Sequence, residues 1–435
     1  MDELNRYREE IDAIDAELAA LFARRMACAG NIAEIKRAQK QPILDPKREQ
    51  AVLAKHSSQL SDPALAEFYC DWMRHTMALS RDWQTELWER KLTNRCIPLP
   101  GKNSMLAIDR GGLEHLNFYL NTNRRGLLVT DDGVPQKYID AVIAAWSVLK
   151  DLPGMEWMQL TVVTVPQGEG SKSVAVWQSL LETMQQNGFT RDDCVIALGG
   201  GMVCDLAGFA AATYLRGIDC YCIPTTLLAM IDASFGGKTA LNLGGAKNQI
   251  GAFHQPRRVL VDPDTLQTLP RRQMANGLAE ALKIAVCFDP ELFSLFQTRD
   301  LLADPTSVIE PCILHKRRIV MEDERDNGVR KLLNFGHTLG HAIEANTSLL
   351  HGESVALGML PMCSAQVRER LLPVCQTLGL PTECLCDPAA LLDTVRRDKK
   401  SHGEAIDVVV VEEIGQAEIK HITFSELEDL WKRLG

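Results

Sequence analysis

Between Ile97 and Asp262, short apolar runs alternate with helical patterns: RGLLVTDD, a helix from about Pro135 to Leu149, LTVVTVP, a helix ending at Asn187, then CVIALGGG. Strands separated by helices cannot pair as hairpins, so this alternation confines the segment to a largely parallel sheet clothed in helices. The glycines at 199–201 follow the third run directly and precede the helical DLAGFAAATYLRG. Glycines in that position let backbone amides approach a pyrophosphate at a helix N-terminus. The triplet is not GxGxxG, however, and by itself it reads equally well as a bare turn.

Residues 1–93 read differently. Leu4, Ile11, Ile14, Leu18, Leu21, Ile32 and Ile35 keep the spacing of one long amphipathic helix, with no proline before Pro42. Asp45-Pro46 starts a second, shorter helix through Lys55, and Asp62-Pro63 a third through Leu92. Three such helices make a thin core, and a dimer is the natural way to cover the stripe. On the first helix Arg25 and Lys36 are three turns apart on one face, whereas Arg8 points about a quarter turn away. WERKLTNRCIPLP at 88–100 suits a linker.

From about Leu266 onward the pattern is mainly helical, closing with a small hairpin (DVVVVEEIG, AEIKHIT) and a last helix. Within it stands KLLNFGHTLGHAIEANTSLLHGE at 331–353. Asn334, His337, His341 and Glu344 fall at steps of three and four, so a continuous helix places them on one face, with His351 beyond a polar break. Three histidines in fifteen residues favour a divalent metal completed by a carboxylate from elsewhere; spacing alone makes His341 a ligand.

With 435 residues the chain has room for two or three domains, and its net charge of -10 excludes a global attraction to nucleic acid or an anionic membrane. Basic residues nonetheless gather in apolar or glycine-rich stretches such as SFGGKTALN and LAEALKIAV, where an unmatched charge is costly unless a ligand meets it. The thirteen cysteines include no CxxC pair and no apolar run spans a bilayer, so a cytoplasmic protein with reduced thiols is expected.

GGGMVCDLAGFAAATYLRG, IPTTLLAMIDASFGGKTALN, KNQIGAF, LAEALK and EDERDNGVRKLLNFGHTLGHAIE, in that order, resemble the 3-dehydroquinate synthase family, over roughly Ile97 to the C-terminus. The resemblance implies an α/β nucleotide-binding domain at 94–265 and a mainly helical metal- and substrate-binding domain at 266–435, with the active site in the cleft between them. It implies a metal, Zn²⁺ or Co²⁺, on Glu280, His337 and His351, and makes His341 a proton-transfer residue rather than a ligand. For NAD it implicates Asp131, Glu169 and Lys172, then Gly200, Gly201, Met202 and Asp205, then Thr225, Thr226, Lys247, Thr265 and Thr268. Lys238, Asn248, Arg330 and Lys399 or Lys400 are the implied holders of phosphate and carboxylate. Asp232, Arg216, Lys283 and Asn334 are implied to line the substrate, beside Lys316, and Asp326, like His341, matches a proton-transfer position of the family.

The implied substrate is 3-deoxy-D-arabino-heptulosonate 7-phosphate. NAD⁺ takes hydride from C5, whose oxygen the metal polarises; phosphate leaves by β-elimination; the hydride returns; ring opening and an aldol closure give 3-dehydroquinate. Three positions depart from the family: Cys204 replaces a glycine and is expected to crowd the phosphate turn, Gly133 replaces a residue that often contacts the adenosine ribose, and Asp326 replaces glutamate.

YREEIDAIDAELAALFARR, IAEIK, ILDPKRE and SRDWQ resemble the all-helical chorismate mutase family, a dimer of three-helix protomers in which each site borrows an arginine from its partner. The matching positions are Arg8, Arg25, Lys36 and Asp45, followed by Arg48, Glu49, Ser80 and Gln84. Chorismate is a dicarboxylate that rearranges to prephenate with negative charge growing on an ether oxygen, so forked arginines and the donors Lys36 and Gln84 suit it without a nucleophile or metal. The expectation is therefore a multidomain, bifunctional enzyme, with an all-α three-helix module ahead of the synthase. The alternatives are a helical module that senses chorismate or prephenate, and a related cyclase of sedoheptulose 7-phosphate.

Overall fold

The computed structural model describes residues 3–39, 41, 43–92, 96–101, 103–122, 124–150, 159–244, 246–384, 386–398 and 405–432. The chain divides into two compact units, Met1–Cys96 and Ile97–Gly435.

The first unit is three helices, Glu3–Ala38, Pro46–Ser57 and Ala66–Leu92. The proline-free first helix has 36 residues, about 54 Å of rise. Asp45 caps the second, its carboxylate accepting from the Arg48 amide at 3.0 Å ahead of Pro46. Ala29, Gly30 and Ala33 bring the first and third helices close, and a Cβ on Gly30 would stand 3.2 Å from Leu87. The periodic stripe, by contrast, faces outward: Leu4, Ile11, Ile14, Leu18 and Leu21 are 42–56% exposed, while Thr76, Ser80 and Gln84 are buried. The unit thus hides polar groups and shows apolar ones, the reverse of a self-sufficient core.

The second unit is built on a seven-stranded sheet. Its strands are β1 (Ile97–Pro98), β2 (Met105–Ile108), β3 (Gly126–Asp131), β4 (Leu160–Val165), β5 (Cys194–Gly199), β6 (Asp219–Pro224) and β9 (Arg258–Val261). They lie in the order β1-β2-β9-β6-β5-β3-β4, all parallel except the β1–β2 pair. Every residue of β3 and β5 is buried, as expected of central parallel strands covered on both faces. Two hairpins stand apart, β7 (Lys238–Leu243) with β8 (Ala246–Phe253), and β10 (Ala405–Glu413) with β11 (Gln416–Thr423). Beyond β9 the chain is mostly helical. A single apolar core runs from Leu127, Val195 and Val259 in the sheet to Leu282, Ile313, Phe335 and Leu357 in the helices.

The chain leaves β3 for β4 on one side and returns from β4 to β5 on the other. The carboxyl ends of β3 and β5 therefore flank a switch point, where sheets of this kind open a crevice for a ligand. Asp131 ends β3 and the glycine triplet begins at the end of β5.

Candidate active site

Glu280 sits midway along the helix Arg271–Phe288, in a run buried from Met274 to Cys287. His337 opens the helix His337–Asn346 and His351 opens the next, His351–Met359. Close helix crossings bring the three together. A Cβ on Gly358 would lie 2.0 Å from the Gly336 carbonyl, and one on Gly352 would lie 2.1 Å from the Asn276 carbonyl, one turn before Glu280. Gly336 itself has φ of +75°, the left-handed region that glycine enters freely. That turn corrects one expectation: Asn334 ends a 3₁₀ turn, Val329–Asn334, and does not share the helix that begins at His337.

The donor atoms of Glu280, His337 and His351 all lie within 4.8 Å of one another, and among the described residues this is the one group of its kind. Glu280 Oε1 is 3.5 Å from His337 Nε2 and 3.3 Å from His351 Nε2. The His341 ring stands beside them, its centroid 5.3 Å from that of His337 and 5.9 Å from that of His351. Outer contacts fix both ligand candidates: His337 Nδ1 donates to the Phe335 carbonyl at 3.0 Å, and His351 Nδ1 is 3.3 Å from Glu344 Oε2. Each histidine thereby turns Nε2 inward.

Charge is arranged around this centre. Burial pushes Glu280 up, but Lys283 and the histidines overcome it and hold the carboxyl well below its ordinary range. Lys283 Nζ is 2.7 Å from Glu280 Oε2. Neither Glu280 oxygen accepts a hydrogen bond of ordinary geometry, so a buried carboxylate is left with coordinating capacity. Burial, then Lys283, hold His337 well below its usual value. Burial opposes charge on His351 too, yet Glu280 and Glu344 raise it to about 10. An anionic carboxylate, a neutral imidazole and a position that favours positive charge fit a divalent cation.

The glycine turn fits a dinucleotide. A Cβ on Gly199 would collide with Val203 at 2.8 Å, and the helix Gly201–Thr213 has no side-chain cap over its first amides. Met202 lies in its first turn. Cys204, expected to crowd the turn, is buried and belongs to the apolar core. At the end of β3 the Asp131 carboxylate accepts from Gly133 at 2.9 Å, and burial raises it. The Thr225 amide donates to the Gly199 carbonyl, Thr226 Oγ1 accepts from Ala229, and Tyr138 reaches Thr265 O and Thr268 Oγ1.

The structure gives most of the cations partners within the protein, where the sequence pointed to a ligand. Lys172 pairs with Asp205 at 2.5 Å, Lys238 with Asp326 at 2.5 Å, Lys247 with Glu344 at 2.7 Å and Lys316 with Asp232 at 2.5 Å. Arg330 donates to the Glu324 and Gly236 carbonyls. Arg330 and Lys316 also converge: a Cβ on Gly236 would lie 3.0 Å from Arg330 Nη2 and 3.5 Å from Lys316 Nζ. Asp232 feels Lys316 and Lys283 strongly enough to overcome burial and fall to about 2. Asn248, Arg216 and Asp326 all take positive φ without being glycine, at +56°, +70° and +61°. Such backbone collects at functional sites, and Asp tolerates it better than the longer Glu. Lys399 and Lys400 lie outside the described residues.

Sequence reasoning assigned no role to Glu344 or Asn242. Asn242 donates to Glu169 at 2.9 Å and accepts from the Asn248 amide at 3.0 Å. The β7–β8 hairpin that carries Lys238, Lys247 and Asn248 was also missed, although the Gly-Gly between two alternating runs signals it.

In the first unit Arg25 donates to Ser80 Oγ and to the Thr76 carbonyl, and Gln84 donates to the Ser80 carbonyl at 3.1 Å. Gln84 Oε1 is buried without a hydrogen-bond partner. Lys36 donates to Ile43 O at 2.5 Å, and burial lowers it against the pull of Asp45 and Glu49. Arg48 is exposed, and Glu49 pairs with Arg81 at 2.5 Å. Arg8 is exposed and seventeen residues from Arg25, about 25 Å along the same helix, too far for one protomer to bring both to one pocket.

Family models add to this geometry. One described as 3-dehydroquinate synthase N-terminal matches residues 162–276, one described as 3-dehydroquinate synthase C-terminal matches 277–401, and one described as chorismate mutase type II matches 7–85. The 3-dehydroquinate synthase of Streptococcus sanguinis is 38% identical over 360 residues, covering 78% of this chain and 99% of that one. That of Enterococcus faecalis is 39% identical over 360 residues, covering 78% and 98%. Among solved structures, 2-epi-5-epi-valiolone synthase from Streptomyces hygroscopicus with NAD⁺ and Zn²⁺ bound is 27% identical with a TM-score of 0.67, covering 78% of this chain and 98% of that one. A 2-deoxy-scyllo-inosose synthase complexed with carbaglucose-6-phosphate, NAD⁺ and Co²⁺ shares the fold, with 21% identity and a TM-score of 0.66 over 76% and 96%. Among the described residues no helix is long and apolar enough to cross a membrane. The glycine turn at the switch point, the carboxylate and two imidazoles at the helix crossing, and relatives matched along nearly their whole length agree that this chain belongs to the 3-dehydroquinate synthase family, with a chorismate mutase type II domain ahead of the synthase.

Proposed function

We propose that the Ile97–Gly435 unit converts 3-deoxy-D-arabino-heptulosonate 7-phosphate to 3-dehydroquinate and phosphate, using NAD and a Zn²⁺ or Co²⁺ ion, and that the helical unit rearranges chorismate to prephenate as part of a cytoplasmic homodimer. The observation that carries the synthase reading is the approach of Glu280, His337 and His351 to within 4.8 Å, with Asp232 and Lys283 beside them. When bound, the nicotinamide supplies a reversible hydride acceptor and the ion a Lewis acid.

The chain's own groups do the rest. Arg330 and Lys316, converging on Gly236, hold a phosphate or carboxylate, assisted by Lys238 and Asn248 from the β7–β8 hairpin. Lys283 balances Glu280, and Asp232 keeps Lys316 charged. His341, alongside the metal candidates, and Asp326, held by Lys238, move protons. Asp131 and the open amides after Gly200 would receive the nucleotide, together with Thr265 and Thr268. In the helical unit Arg25, Lys36 and Gln84 meet the dicarboxylate and its ether oxygen, and a second copy covers the exposed stripe and contributes Arg8.

Purified full-length protein given NAD⁺, Zn²⁺ and the heptulosonate phosphate should release phosphate without accumulating NADH. Net NADH, or no phosphate, would defeat the synthase reading. The 27% identity to a valiolone synthase favours a second reading, a cyclase of sedoheptulose 7-phosphate, which turnover of that sugar in preference to the heptulosonate would support. Loss of chorismate without added cofactor tests the mutase; no turnover, with chorismate or prephenate altering the synthase rate, would favour a sensor.

A further inference from the structure

Glu344 lies on the helix His337–Asn346, seven residues and about two turns past His337, with its side chain only 11% exposed. Its two oxygens go separate ways. Oε2 is 3.3 Å from His351 Nδ1, and Oε1 accepts from Lys247 Nζ at 2.7 Å. Lys247 belongs to β8, part of the hairpin, whereas His351 belongs to the metal-ligand trio. Resting on the reading that a metal and NAD occupy these sites, we infer that Glu344 is a positioning residue shared by both. It orients His351 with one oxygen and the hairpin, through Lys247, with the other, so that metal and nucleotide affinities are coupled.

A histidine that turns Nε2 toward a cation is held in its tautomer, and made more basic, by whatever accepts from Nδ1. Here that acceptor is not dedicated, because a lysine competes for its charge. A nucleotide that draws Lys247 away leaves Glu344 to His351 alone, which strengthens the imidazole as a ligand. By linkage the ion tightens the nucleotide by the same factor.

The hairpin carries the effect further. Next to Lys247 is Asn248, whose side-chain oxygen accepts from Lys172 Nζ at 2.5 Å, and Lys172 pairs with Asp205 at 2.5 Å on the helix that starts at the glycine turn. Side chains in hydrogen-bond contact, joined by one peptide link between Lys247 and Asn248, therefore connect His351 to the nucleotide end of the sheet.

The test is metal affinity rather than turnover. Metal-stripped full-length protein is titrated with Co²⁺ against a chromophoric chelator, with and without NAD⁺, while the visible absorption of the cobalt reports its coordination. NAD⁺ should tighten Co²⁺ at least about fivefold in the parent. Glu344→Ala should weaken Co²⁺ roughly 10- to 100-fold. Glu344→Gln preserves side-chain size and an acceptor for His351 but not the charge for Lys247, so it should bind Co²⁺ better than the alanine variant yet lose the NAD⁺ effect, as should Lys247→Met. A Glu344→Ala affinity within twofold of the parent, or a full NAD⁺ effect in Lys247→Met, would overturn the inference. Glu280→Gln separates the two levels. If it binds Co²⁺ as the parent does, the metal reading itself fails; if it loses Co²⁺ while Glu344→Ala does not, only the role of Glu344 fails.

Discussion

Glu280 and Lys283 face each other one turn apart on a single helix, 2.7 Å between carboxylate and ammonium, with 1% and 3% of their side chains exposed. Removing one member of such a pair strands the other. Lys283→Met should lower the stability of the metal-free protein by about 3 kcal/mol in urea denaturation. Added Zn²⁺ should restore more of that loss than it adds to the parent, because a cation again meets Glu280. Equal stability of the two metal-free proteins would contradict the pairing.

Asp205 offers a pH signature. Burial raises its carboxyl to about 6 despite the opposing pull of Lys172. An acid whose folded value exceeds its unfolded value holds its proton longer when folded, so its contribution to stability falls as pH rises from about 4 to about 6. Relative to Asp205→Asn, the parent should lose on the order of 2–3 kcal/mol across that window. Parallel stability curves for the two proteins would refute the shift.

Gly336 is expected to tolerate nothing larger. At φ of +75° an L-residue costs about 1–2 kcal/mol, and its Cβ would stand 2.6 Å from Met359 Cγ and 2.7 Å from the Val355 carbonyl. Gly336→Ala should therefore destabilise by more than about 2 kcal/mol and lower the Co²⁺ bound per chain, since His337 is the next residue. Calorimetry and metal analysis would check both.

Asp326 separates function from stability. Its partner Lys238 is 51% exposed, and an ion pair at such a site contributes at most about 1 kcal/mol. Asp326→Asn keeps the tolerance for positive φ, so denaturation should change little while phosphate release slows by about 10²-fold. A rate equal to the parent's would remove Asp326 from the proton-transfer steps.

In the helical unit, Arg25→Ala should cut prephenate formation by about 10²- to 10³-fold, the effect of losing one well-placed charged donor. An unchanged rate would leave Ser80 and Gln84 as packing residues.

Much of this architecture was legible because it rests on local pattern. The runs that became β3, β4 and β5 announce themselves by clustered leucine, valine and isoleucine, and Asp45-Pro46 marks its helix by capping chemistry that needs no tertiary context. The candidate metal site was legible only through family resemblance. Helical spacing favours His341, but the converging atoms belong to Glu280, His337 and His351, which meet because Gly352 and Gly358 let separate helices approach closely. Spacing along one helix carries no information about such crossings. Glu344 was visible on the right face, yet its two partners come from distant segments.

The sheet order has a consequence for how the chain is made. β2 pairs with β9, Met105 opposite Arg258, a closure spanning about 150 residues. Until the ribosome has delivered Arg258–Val261, the outer ribbon of β1 and β2 has no neighbour to join, and the middle of β6, at Tyr221 and Cys222, lacks its flank. Synthesis of the second unit should therefore pass through a long interval of incomplete, aggregation-prone sheet, and chaperone demand should peak while residues between β2 and β9 are emerging.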